Sequence, residues 1–260
     1  MQLDTSSDDG PTVTFHKVYP AAISPMRADK AALGTMPTMA FRHCEPMRTA
    51  SSFGWYIFPP EDISLKWNGA DVLHLEEGEW RPLFQAYLPG FNEYWDERVP
   101  DDIKGLTPPY LSVLPIRGFV QIWSGLLCST RADWSVLVRP LANIRASYQY
   151  SCFEGLLESD RFQPFPLFMN IQLLATDVPI NISKFQPLFQ VQPLMRGTYG
   201  ERAHGFSERD GLGLMQSGEP AMTAEHWAGY RKTIRVQVPD EAPESGQYTA
   251  ATRKRTKHEG

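Results

Sequence analysis

Between Trp134 and Asn170 the chain gathers Arg139, Asn143, Glu154, Glu158, Asp160 and Asn170, the densest block of residues able to do acid–base chemistry. In a regular strand, Glu154, Glu158 and Asp160 fall at even separations and share one face. Carboxylates crowded on one face repel unless a cation answers them. Arg139, ending the preceding strand, is the expected cation, with Asn143 and Asn170 as neutral donors. The expected chemistry has Glu158 or Asp160 accepting a proton and Arg139 stabilising charge. Trp55, Trp67 and Trp123 would wall a pocket for a small polar or aromatic molecule. The same side chains could instead close the end of a β-sandwich as a purely structural network.

A second constellation is His74, Glu76 and His204. His-x-Glu on a strand puts both side chains on one face, and a distant histidine would complete a two-His-one-carboxylate iron site. Under that alternative the protein is a non-haem iron oxygenase, with Arg209 holding an acidic cosubstrate; otherwise no cofactor is expected. His74 beside Glu76 and Glu77 also reads as a surface pair. Cys44 follows Arg42-His43, and cationic neighbours favour a thiolate; a buried structural cysteine is the competing reading. Phosphate loops, dinucleotide fingerprints, nucleophile elbows and His-Glu-x-x-His are all missing from the sequence.

The elements that must position these residues read as strands. Thr12–Val18, Gly54–Phe58, Ile63–Trp67, Phe119–Trp123, Trp134–Val138, Tyr148–Phe153, Phe165–Leu174, Pro179–Ile182 and Phe185–Val191 alternate or carry strand composition. Twenty-two prolines and 19 glycines in 260 residues punctuate them, which argues against a helical bundle. The expected fold is mainly β, an antiparallel β-sandwich or rolled β-barrel with a short C-terminal helical region. That helix spans Thr223–Thr233, capped by Thr223, and should pack on a sheet edge. Residues 1–11 and a basic tail, 239–260, are expected to be disordered, leaving one β-rich domain at 12–238.

Charge narrows the partners. The net charge of −5 argues against nucleic acid and anionic membranes. Eleven acids against Lys66, Arg81 and Arg98 give Glu61–Asp102 a net −8, so an acidic surface insertion is expected at about 70–105. With the basic tail it could serve as a contact surface, which is the third reading of function: a structural or interaction component, or a homo-oligomer. Three dispersed cysteines, Cys44, Cys128 and Cys152, suit a reducing compartment, and no apolar run is long enough to span a bilayer. The expected location is the cytoplasm.

The ordered series Phe41-Arg42 with Cys44 and Pro46, Gly54-Trp55, Trp67-Asn68-Gly69, Trp134 to Arg139-Pro140 with Asn143, Glu154-Gly155 with Glu158 and Asp160, Met169-Asn170 and a closing Pro187 strand resembles a bacterial family catalogued as domain of unknown function six-thousand-sixty-five. The resemblance covers about residues 38–195. It implies a shared fold and site region and brings no reaction with it. The chain departs from the family pattern at Val113-Leu114-Pro115, where relatives carry a Ser-His-Phe-Gly-like stretch, and at Ser129, where they carry an arginine. If those residues are catalytic in relatives, the activity is lost or changed here. The proline-rich strand texture is also similar to a β-clip deoxyuridine triphosphatase, but the glycine-flanked Asp and Tyr that read the nucleoside are missing.

Overall fold

In Phe165–Leu173, the side chains of Leu167, Met169, Ile171 and Leu173 are buried while Phe168, Asn170 and Gln172 are not. Period two in sequence has become period two in burial. The structure, a computed structural model, describes residues 10–144, 147–213, 221–231, 233 and 247–258. It is mainly β, as expected.

In chain order the elements open with β1 (Val13–Lys17), β2 (Met26–Arg27), α1 (Thr38–His43), α2 (Glu45–Ser51) and β3 (Trp55–Ile57). Next come β4 (Ile63–Trp67), β5 (Val72–Glu76), β6 (Glu79–Pro82), β7 (Gln85–Ala86), α3 (Phe91–Asp96) and β8 (Leu111–Val113). The long β9 (Phe119–Thr130) leads to β10 (Trp134–Arg139), β11 (Tyr150–Phe153), β12 (Gly155–Leu157) and β13 (Phe165–Leu173). The chain ends with β14 (Ile180–Ile182), β15 (Phe189–Met195), α4 (Ala224–Arg231) and α5 (Gln247–His258).

Three antiparallel sheets result. One runs β11-β13-β9-β8-β7, with β1 also paired to β9; the second runs β12-β10-β15-β3-β2; the third runs β14-β4-β5-β6. All three feed one core: Val120, Ile122 and Leu126 from β9, Met169 and Ile171 from β13, Val136 and Val138 from β10, Val191 from β15, and Leu65 and Val72 from the third sheet.

Strand β15 departs from simple alternation, because Gln190 and Gln192 are buried along with Phe189 and Val191. A buried amide must be fully paired, and Gln190 is. Its Nε2 donates to the carbonyls of Ser51 and Phe53, and its Oε1 accepts from the Ala142 amide. That one side chain ties the end of α2 and the turn after β10 to the second sheet. Gly54, at φ +100°, lets α2 return to β3, since a Cβ there would overlap the carbonyl oxygen of Val191.

Three boundaries differ from expectation. The acidic stretch is not a surface insertion: β5 to β7 and α3 lie within it, and Val72, Leu83, Ala86, Leu88 and Phe91 enter the core between the exposed acids. Part of the basic tail is the helix α5, which docks by its polar side chains. Thr249 donates to the carbonyl of His43, and Arg253 reaches both the carbonyl of Arg42 and the buried carboxylate of Glu45. The helix expected over Thr223–Thr233 forms as α4, with the Thr223 hydroxyl accepting from the His226 amide at 3.3 Å. It buries no residue, because Trp227 and Tyr230 pack on each other instead of on a sheet. The disorder expected at the two ends falls, at residues 1–9, 239–246 and 259–260, outside the described residues.

Candidate functional site

The expected cluster of Arg139, Glu158 and Asp160 does not form. Among the described residues Arg139, at the end of β10, pairs instead with Glu154, at 3.3 Å. Glu158 and Asp160 instead converge on Arg196, which the sequence reading missed: Arg196 contacts Glu158 at 2.9 Å and is hydrogen-bonded to Asp160. Asp160 also accepts from the Asp133 amide at 3.0 Å, just before β10. The two groups thus sit at opposite ends of β10, about 17 Å apart at roughly 3.4 Å per residue. The regular strand assumed from the sequence is interrupted: β11 ends at Phe153, β12 covers only Gly155–Leu157, and Glu154 and Glu158 fall outside both. The hydrogen bond from Arg196 holds the Asp160 carboxyl below its ordinary value. A carboxylate fixed in its charged form against an arginine is a structural lock and a poor proton acceptor.

The other expected contacts are likewise structural. Asn143 adopts a positive φ in the turn after β10 and donates to the Met47 carbonyl and the Ser51 hydroxyl, both at 3.0 Å, clamping α2. Asn170 accepts from Gln121 across the β13–β9 ladder at 3.2 Å. The three tryptophans lie apart. Trp55 stands edge-on to Phe15 with Arg27 over its face; Trp67 packs against the backbone of Gly118. Trp123 is buried against Phe91, its indole N–H donating to the Leu126 carbonyl.

His74 and Glu76 do share a face of β5, where Nδ1 lies 3.2 Å from the carboxylate, but the imidazole is buried against the ring of Tyr110. His204 is exposed in a short 3-10 turn, Glu201–His204. Among the described residues no three His, Cys, Asp or Glu side chains are grouped as a metal would require, so the iron triad is corrected. Cys44 is a free, half-buried thiol between α1 and α2.

The described residues instead form a cavity that no sequence motif marked. The register that opposes Arg139 to Gln190 brings Pro140-Leu141, after β10, beside Pro187-Leu188, before β15. Ile144 from the same turn after β10, and Tyr150, Cys152 and Leu174 from the end of the first sheet, complete the wall with Ser147 and Ser151 around about 290 Å³. Burial pushes the Cys152 thiol up to about 11 and raises Tyr150, so both stay neutral near pH 7. Two repeated Pro-Leu steps and the Tyr-x-Cys alternation were the available signals. A larger cleft of about 950 Å³ lies beside α4 between Arg209, Met222, His226 and Tyr230. The α4 wall of this cleft contributes no buried side chain.

No family model and no curated protein matches the chain. Solved structures similar to it include the dUTPase of phage phi11 of Staphylococcus aureus, 11% identical with a TM-score of 0.36, over 80% of this chain and 100% of that one. A mutant dUTPase of Staphylococcus bacteriophage 80alpha bound to dUpNHpp gives 10% identity and a TM-score of 0.36, over 81% and 100%. At these values the likeness carries no argument about activity. The function expected from the sequence is corrected in all its forms. Among the described residues the polar cluster, the tryptophan pocket and the metal triad do not assemble, the acidic segment sends its apolar residues into the core, and part of the basic tail docks on the chain.

Proposed function

We propose that the protein binds a small apolar group in the cavity between Pro140-Leu141, Cys152 and Leu188, a different place from the one the sequence suggested. The observation that carries this reading is the wall itself: prolines, leucines, Ile144 and a neutral thiol, with Tyr150, Ser147 and Ser151 as its polar members and no charged side chain among the described lining residues. Mostly apolar pockets with a few polar groups favour apolar guests. At about 290 Å³ the space is at the bottom of the roughly 300–1,000 Å³ range of small-molecule sites. It therefore suits one ring or one branched alkyl group.

The test is an NMR titration with indole. Saturable shifts at Leu141, Cys152 and Leu188 are expected in the native chain, and their loss in Cys152→Phe, whose ring fills the space. Equal binding by both proteins would place the guest elsewhere and refute the reading. We also propose that the chain is a member of the family it resembles over residues 38–195. Gly54, Asn143 and the Cys44–Pro46 corner all serve the junction of α2 with the second sheet, which supports that membership. The free thiols Cys44, Cys128 and Cys152 support a reducing, cytoplasmic setting.

A further inference from the structure

Strand β11 ends the first sheet, with β13 as its one neighbour in the sheet order. Residues of an antiparallel strand point their main-chain groups alternately toward and away from the partner strand. The Leu174 amide donates to the Gln149 carbonyl at 2.9 Å, which makes that pair a hydrogen-bonded one. By alternation Ser151 and Phe153 also face β13, opposite Gln172 and Asn170. The Leu173 amide agrees, pointing the other way to the Gly118 carbonyl at 2.8 Å. Tyr150 and Cys152 therefore turn their N–H and C=O groups outward along the edge.

That edge borders the cavity. Side chains of successive strand residues point to opposite faces, so three in a row can line one space only where it runs along the strand's edge. Tyr150, Ser151 and Cys152 all line this one. Proteins blunt exposed edges with charge or proline. The outer strand β6 carries Glu79, Arg81 and Pro82, whereas β11 reads Tyr-Ser-Cys-Phe and carries neither.

Building on the cavity reading above, we propose that the apolar group is a side chain of an extended, uncharged peptide segment that adds a strand to β11. Outward amides and carbonyls at Tyr150 and Cys152 pair with the peptide main chain, and one side chain of leucine size enters the space beside Leu141 and Leu188. Main-chain pairing supplies affinity in such additions, and the side-chain pocket supplies selectivity.

The experiment uses the full chain and acetyl-Thr-Val-Leu-Val-Thr-amide, with two analogues: one N-methylated at the leucine, one at both valines. Only alternate peptide amides can face β11, so one analogue is expected to bind about tenfold more weakly and the other like the parent. The parent peptide is also expected to slow hydrogen exchange at the amides of Tyr150 and Cys152. No peptide binding, or equal binding of parent and both analogues without protection, overturns the proposal. Indole, run in parallel, separates the two readings: indole bound with peptide rejected refutes strand addition alone, and rejection of both refutes the cavity as well.

Discussion

Asp160 and Gln190 show what single polar side chains do in this protein. Asp160 bridges the start of β10, through the Asp133 amide, to Arg196 after β15. Because the Arg196 hydrogen bond lowers its pKa below the ordinary 3.8, the stabilisation is present above that value and is lost as the pH falls through the lower folded-state value. Asp160→Asn is therefore expected to melt below the native chain at pH 7, with the gap closing on acidification, as read by thermal unfolding across the pH range. A gap unchanged down to full protonation would show that the bridge contributes nothing. Gln190 is fully buried and pairs with three main-chain groups. Gln190→Leu leaves those groups unpaired and is expected to cost about 2–4 kcal/mol in denaturant unfolding. A loss under half a kcal/mol would deny it the joining role.

At the scale of elements, the junction of α1, α2 and α5 is the part the sequence revealed least. Strands such as β4 and β13 were legible because period-two burial is local. The docking of α5 was not, because it rests on Arg253 meeting Glu45 more than two hundred residues upstream, and α5 has almost no apolar face to betray it. Glu45 is buried, and its described partners are Arg48 and Arg253. Arg253→Gln is expected to speed amide hydrogen exchange across Thr38–Ser51 while leaving β9 and β13 unchanged; equal protection of α1 and α2 would mean that α5 rests on the surface without restraining it. The same distance problem explains the misplaced acid–base cluster. Glu158 and Asp160 were identified as charged neighbours needing a cation, but the cation, Arg196, lies after β15 and arrives only through the antiparallel pairing of β10 with β15.

For the whole molecule, the turn-rich β scaffold follows from composition and alternation, and the three sheets confirm it. The cavity does not follow from either, since it exists only where the end of the second sheet meets the edge of the first. Its prolines, read as strand breakers, are also its wall. No helix among the described residues is long and apolar enough to cross a membrane. The most direct measurement is a crystal structure of the native chain under xenon pressure. The expected result is a xenon atom between Pro140, Leu141, Cys152 and Leu188, in a space free of ordered water. A cavity filled by hydrogen-bonded water, or closed by its own side chains with xenon bound elsewhere, would contradict the proposed function.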